Sequence, residues 1–185
     1  ALSRQHPERL LGIHLTDAGY PTGQEENLSH AEQEFAGFIQ GWWVSEGAYA
    51  MLHATKPQTI AFSLNDSPVG LASWILSFIN TGAGENVEGA FGGRDELLTN
   101  IMIYWVTETG GSSARSYLAD AQAAWGGDDS TNKTRSDVST GFALFPREAK
   151  TPRDWVKRQA NLVRFTEMPR GGHFAALEEP ELFVR

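Results

Sequence analysis

His173 is the residue of this 185-residue chain best suited to moving a proton. It stands in Arg170-Gly171-Gly172-His173-Phe174, directly after a predicted terminal strand, Asn161 to Glu167, and before a final helical stretch. Two glycines allow a sharp turn that leaves the imidazole facing a cleft, and an unperturbed pKa near ~6.5 suits a general base. Taken alone, a loop histidine without a task explains the same letters. Glu148, in Phe145-Pro146-Arg147-Glu148, follows the preceding predicted strand, Ser139 to Phe145. Both residues therefore lie beyond the carboxyl ends of neighbouring strands, where open α/β sheets place their ligands. A carboxylate there can hold an imidazole in one tautomer and stabilise its protonated form. A surface acid paired with Lys or Arg is the plainer reading of Glu148 by itself, so the pair carries more weight than either member. Tyr49 and Tyr117 fall in apolar helical stretches, where an aromatic is usually a core residue. No Cys/His cluster with ligand spacing suggests a metal.

The elements that must position these residues come in two kinds. Leu10 to Leu15 is a short apolar run closed by Thr16-Asp17-Ala18-Gly19, as expected of a buried strand ending in a turn, with Asp17 as a turn residue. Ser29 and Glu32 form a capping box ahead of a helical stretch through Phe35, Ile39, Trp42 and Tyr49, punctuated at Pro57. Ser67-Pro68 opens a second helix, Arg94 to Val106 a third and Ser113 to Trp125 a fourth. Gly82 to Gly93 is expected as a flexible loop, and Gly110-Gly111 as a break between helices. After the polar stretch Gly126 to Asp137 come the two strands already named, around a short helix near Pro152 to Arg158. The order strand, helical block, strand, helix, strand, helix predicts an α/β protein whose parallel sheet is interrupted by a helical insertion.

Composition narrows the function. A formal net charge of −8 and a pI near 5.1 argue against nucleic-acid and anionic-membrane partners. No apolar run approaches the ~20 residues of a membrane span. The chain has no cysteine, which excludes thiolate chemistry and fits a reducing, cytoplasmic setting. Ten Phe, six Trp and four Tyr supply either a large core or an apolar pocket.

Three stretches carry a resemblance to a known family. GFALFPRE with NLVRFTEMPRGGHFAALEEPELF is similar to the C-terminal catalytic region of epoxide hydrolases of the α/β-hydrolase fold. GAYAMLHATKPQTIAFSLNDSPVGLASWI resembles their lid, closest to the microsomal type, and LLTNIMIYWVTETGGSSARSYL matches it too. The resemblance implies Glu148 as the orienting acid, His173 as the base that activates water, and Tyr49 and Tyr117 as lid phenols donating to the epoxide oxygen. It leaves Tyr104 as a core or pocket-wall residue and Tyr20 in a loop. It further implies an α/β-hydrolase core strand and loop over residues 1–26, a helical lid over 27–126, and the C-terminal core with the acid and histidine loops over 127–185.

Such enzymes attack the epoxide with an Asp on a sharp strand-to-helix turn between small residues. The chain contains no G-x-D-x-G, and Leu15 is too bulky for Asp17 to serve. The nucleophile is expected upstream of Ala1, so the 185 residues alone are expected to be inactive. The expected partners are a small apolar or aromatic epoxide, the N-terminal remainder of the hydrolase and a second copy in a homodimer, with no metal or organic cofactor. An esterase or haloalkane dehalogenase shares the acid and histidine without needing the two tyrosines. A non-catalytic ligand-binding relative would keep the fold alone.

Overall fold

A computed structural model describes residues 2–83, 86–125 and 135–184. Most of the polar stretch read as the second loop, residues 126–134, lies outside the described residues. Contacts divide the chain into two compact units, Ala1–Trp42 with Asp129–Arg185, and Trp43–Asp128.

The first unit is built on a parallel sheet in the order β1 (Ile13–Leu15), β2 (Ser136–Leu144), β3 (Ala160–Glu167). Helix α1 (Leu2–Gln5) precedes it. β1 is shorter than the apolar run suggested, since Leu11 is fully exposed. β2 begins earlier than expected because its polar start is buried on alternate residues: Ser136, Val138 and Thr140 face inward, and the Thr140 hydroxyl donates to the Val138 carbonyl at 2.9 Å. A buried hydroxyl that finds a backbone acceptor loses little by leaving water.

Helix α2 (His30–Ser45) starts at the predicted capping box: Ser29 N donates to Glu32 Oε2 at 2.8 Å and Glu32 N to Ser29 Oγ at 3.4 Å. Its Phe35 and Ile39 pack with Phe142, Trp155 and Val156 in the core of the sheet unit. The contact-based division between the units falls inside α2, after Trp42. Glu32 is 2% exposed and bonded to Arg158, which also donates to the Asn27 carbonyl at 2.9 Å. Arg158 lies on α9 (Arg153–Gln159), the crossover between β2 and β3. Two short helices, α10 (Ala175–Glu178) and α11 (Pro180–Phe183), close the unit.

The second unit is helical: α3 (Ala48–Thr55), α4 (Pro57–Asp66), α5 (Pro68–Gly82), α6 (Val87–Ala90), α7 (Arg94–Val106) and α8 (Gly110–Trp125). Ser67 caps α5 by accepting from Gly70 N at 3.0 Å, with Pro68 at the first helical position, as the sequence predicted. Two expectations need correction. The stretch 82–93 contains α6, because the Asn86 side chain accepts from Gly89 N at 3.1 Å and nucleates a turn. Gly110 and Gly111 do not separate helices; they form the first turn of α8. A Cβ on Gly111 would stand 2.7 Å from the Ala61 Cβ of α4, so the glycine is there to let two helices approach.

Candidate active site

His173 and Glu148 are brought together within the first unit, on the loops that follow β3 and β2. His173 Nδ1 lies 2.6 Å from Glu148 Oε2, while Glu148 Oε1 accepts from Ala149 N at 2.8 Å. Both carboxylate oxygens are thus engaged. The Glu148 side chain is 8% exposed and that of His173 is 50% exposed. A carboxylate held on both oxygens beside a half-exposed imidazole is an arrangement able to support general-base chemistry. The contact with Glu148 holds the imidazole above its ordinary value against the opposing effect of burial, and the charges of Glu148, Asp17 and Glu178 add to it.

The turn that presents His173 depends on one glycine. Gly171 has φ 102°, and a Cβ there would meet the Phe145 ring at 2.8 Å. Its carbonyl accepts from Arg147 N at 3.3 Å, tying the histidine loop to the acid loop. Beneath them Phe145 and Ala175 are buried with Ala143.

Asp17 was read from sequence as a turn residue, and it does hold a turn: its Oδ1 accepts from Ala18 N at 2.7 Å and its Oδ2 from the Tyr20 hydroxyl at 3.0 Å. It also belongs to the electrostatics of the pair. Burial, reinforced by the nearby charge of Glu148, raises its pKa above the ordinary carboxylate value. The sequence signal for this was available, since Asp17 and Glu148 follow the paired strands β1 and β2.

Within the second unit, Tyr49 on α3 and Tyr117 on α8 pack edge to face with ring centroids 6.2 Å apart. Tyr117 is 39% exposed, and its partial burial still pushes the phenol up, its hydrogen bond with Tyr49 acts in the opposite sense, and Tyr104 adds an upward push. Tyr49 stacks on Phe78 of α5 at 4.9 Å. Sequence reading missed His53, one turn beyond Tyr49 and 5.0 Å from the Tyr117 ring. Among the described residues no group of three or more acidic or histidine side chains could hold a metal ion.

A parallel sheet with acid and histidine on consecutive strand-end loops, interrupted in sequence by a helical unit, defines the α/β-hydrolase class. Comparison with known proteins narrows this. Epoxide hydrolase 1 of Oryctolagus cuniculus is 42% identical over 150 residues, covering 76% of this chain and 32% of its own length. Juvenile hormone epoxide hydrolase 2 of Ctenocephalides felis is 40% identical over 152 residues, again 76% of this chain and 32% of its own. The solved epoxide hydrolase of Aspergillus niger superposes with a TM-score of 0.74 at 29% identity, over 99% of this chain and 46% of that one. No family model matches. The chain belongs to the epoxide hydrolases of the α/β-hydrolase fold, and it spans about a third of the length of the two curated relatives just described.

Proposed function

We propose that this chain supplies the base and the oxygen-binding phenols of an enzyme that hydrolyses an epoxide to a vicinal diol. The observation that carries the proposal is the 2.6 Å contact between His173 Nδ1 and Glu148 Oε2, which leaves the other ring nitrogen to act on water. An Asp carboxylate encoded upstream of Ala1 attacks one ring carbon as the C–O bond breaks, giving a hydroxyalkyl ester. The ring oxygen, still bonded to the other carbon, becomes an alkoxide and takes a proton from the Tyr49–Tyr117 pair; the bond between the two phenols supports this role. His173 then removes a proton from water, which adds to the ester carbonyl; collapse expels the diol oxygen, which takes the remaining proton and leaves the Asp as a carboxylate, and the proton on His173 returns through solvent to the tyrosine phenolate. The imidazolium formed is stabilised by Glu148.

The helical unit is the lid of this scheme. Its aromatic cluster supports an apolar or aromatic epoxide as substrate, since such pockets are mostly apolar with a few convergent polar groups. The scheme needs no metal or organic cofactor. Among the described residues no helix is long and apolar enough to cross a membrane, and a cytoplasmic setting is our reading of the cysteine-free chain.

The test uses a polypeptide that includes the upstream segment, incubated with styrene oxide and separately with an aryl ester. Formation of phenylethane diol at a rate that exceeds ester turnover is expected. Ester turnover without diol would favour an esterase.

A further inference from the structure

Two helices of the second unit each contribute an aromatic pair one turn apart, Tyr49 and His53 on α3 and Trp74 and Phe78 on α5. The pairs meet rung by rung: Tyr49 stacks on Phe78 at 4.9 Å, and His53 lies against Trp74 at 5.6 Å. Tyr117 closes the cluster from α8, edge-on to both Tyr49 at 6.2 Å and His53 at 5.0 Å. His53 therefore touches the rings of both phenols, since it also meets Tyr49 edge-on at 6.0 Å.

What distinguishes His53 from an ordinary core aromatic is its polarity. The Trp74 indole N–H donates to His53 Nε2 at 3.0 Å. Indole can only donate, so Nε2 must be unprotonated and the neutral ring carries its proton on Nδ1. The residue is 6% exposed, and among the described residues its Nδ1 is the buried side-chain nitrogen or oxygen left without a hydrogen-bond partner. Leucine or phenylalanine would fill the space without burying an unpaired donor, so packing alone does not account for an imidazole here. Burial lowers the histidine's pKa and keeps the ring uncharged beside the phenols.

We propose that His53, fixed in a single neutral tautomer by Trp74, is a positioning residue that sets the rings of Tyr49 and Tyr117 for donation to the substrate oxygen. The inference rests on the reading of those tyrosines given above. The imidazole acts through them: the indole bond ties α3 to α5, and the edge of the ring fixes where the two phenols stand. A ring displaced by about 1 Å at an oxygen-binding donor is enough to cost a large factor in rate.

The first test needs no activity. In the chain labelled with 15N-histidine, His53 should show a protonated Nδ1 and an unprotonated Nε2 from pH 6 to pH 8. A protonated Nε2, or a charged ring at pH 6, would overturn the proposal. The second test uses the polypeptide that includes the upstream segment. His53→Leu and Trp74→Phe are each expected to lower kcat for epoxide opening about tenfold with KM changed less than about twofold. His53→Gln, whose amide oxygen can accept from Trp74, is expected to recover to within about threefold of the parent. Both damaging variants should also move the tyrosine ring resonances. If Tyr49→Phe and Tyr117→Phe are costly while His53→Leu and Trp74→Phe are silent, the positioning role is wrong and the tyrosine pair stands. If the tyrosine variants themselves are silent, the reading beneath it has failed. Loss in His53→Gln as deep as in His53→Leu would also overturn the role, because the hydrogen bond would then count for nothing.

Discussion

Glu148 approaches His173 from 25 residues away and meets it at 2.6 Å, with the acid 8% and the imidazole 50% exposed. The carboxylate end of the pair is closed to water and the imidazole end is open to it. Because Glu148 supports the protonated ring, Glu148→Gln should bring the His173 pKa down toward its ordinary 6.5, read by NMR titration of the ring. The folded pKa is raised, so the pair's contribution is fully present below about 6.5 and fades as pH rises through the higher folded value. The melting difference between parent and Glu148→Gln should shrink from pH 6 to pH 9. A constant difference would show that the contact is not linked to the charge of the ring.

Gly171 makes the presentation of His173 possible. With φ 102° and the Phe145 ring 2.8 Å from an added Cβ, Gly171→Ala should destabilise the chain by about 1–3 kcal/mol in urea unfolding. Gly23 has φ 82° but open space around it, so Gly23→Ala should cost about 1 kcal/mol, from backbone strain alone.

Acid should weaken the sheet unit at Glu32. Its hydrogen bonds from Arg158, outweighing burial, hold its pKa down from 4.5 to about 2. A depressed carboxylate contributes stability that is present above the unfolded value and is lost as pH falls from about 4.5 toward about 2. Glu32→Gln should melt lower than the parent at pH 7, and the gap should narrow steadily as pH falls from about 4.5 toward about 2. Equal melting temperatures at pH 7 would show that the Arg158 contact contributes nothing.

The phenols should act as donors and not as nucleophiles. Tyr49→Phe and Tyr117→Phe are each expected to reduce kcat/KM for epoxide opening by about tenfold or more, with an additional loss when combined. Because burial raises the Tyr117 pKa, activity should not fall at alkaline pH until above the ordinary phenol value of 10. A pH–rate profile with a basic limb near 8 would point to another donor.

The sequence was most legible where the physics is local. The capping box at Ser29 and Glu32 and the Ser67-Pro68 helix start rest on contacts three residues apart, and both are present. The meeting of Glu148 and His173 was also readable, because strand ends in an α/β sheet gather on one edge. Long-range relationships were not. Nothing local to Glu32 announces a partner 126 residues away, and Gly111 looks like a helix breaker until Ala61 is seen beside it. Ser136 reads as loop because polarity stands in for exposure, although it is buried. His53 looked like one more residue on a helix because its meaning comes from Trp74, 21 positions on.

In the proposed scheme His173 activates the water that hydrolyses an ester formed in an earlier step. The most direct measurement is the intact mass of the His173→Gln variant, in the polypeptide that includes the upstream segment, after incubation with styrene oxide. Ring opening without hydrolysis should leave a species heavier by one styrene oxide, with diol release reduced about a hundredfold or more. Diol release at the parent rate with no mass increase would contradict the account.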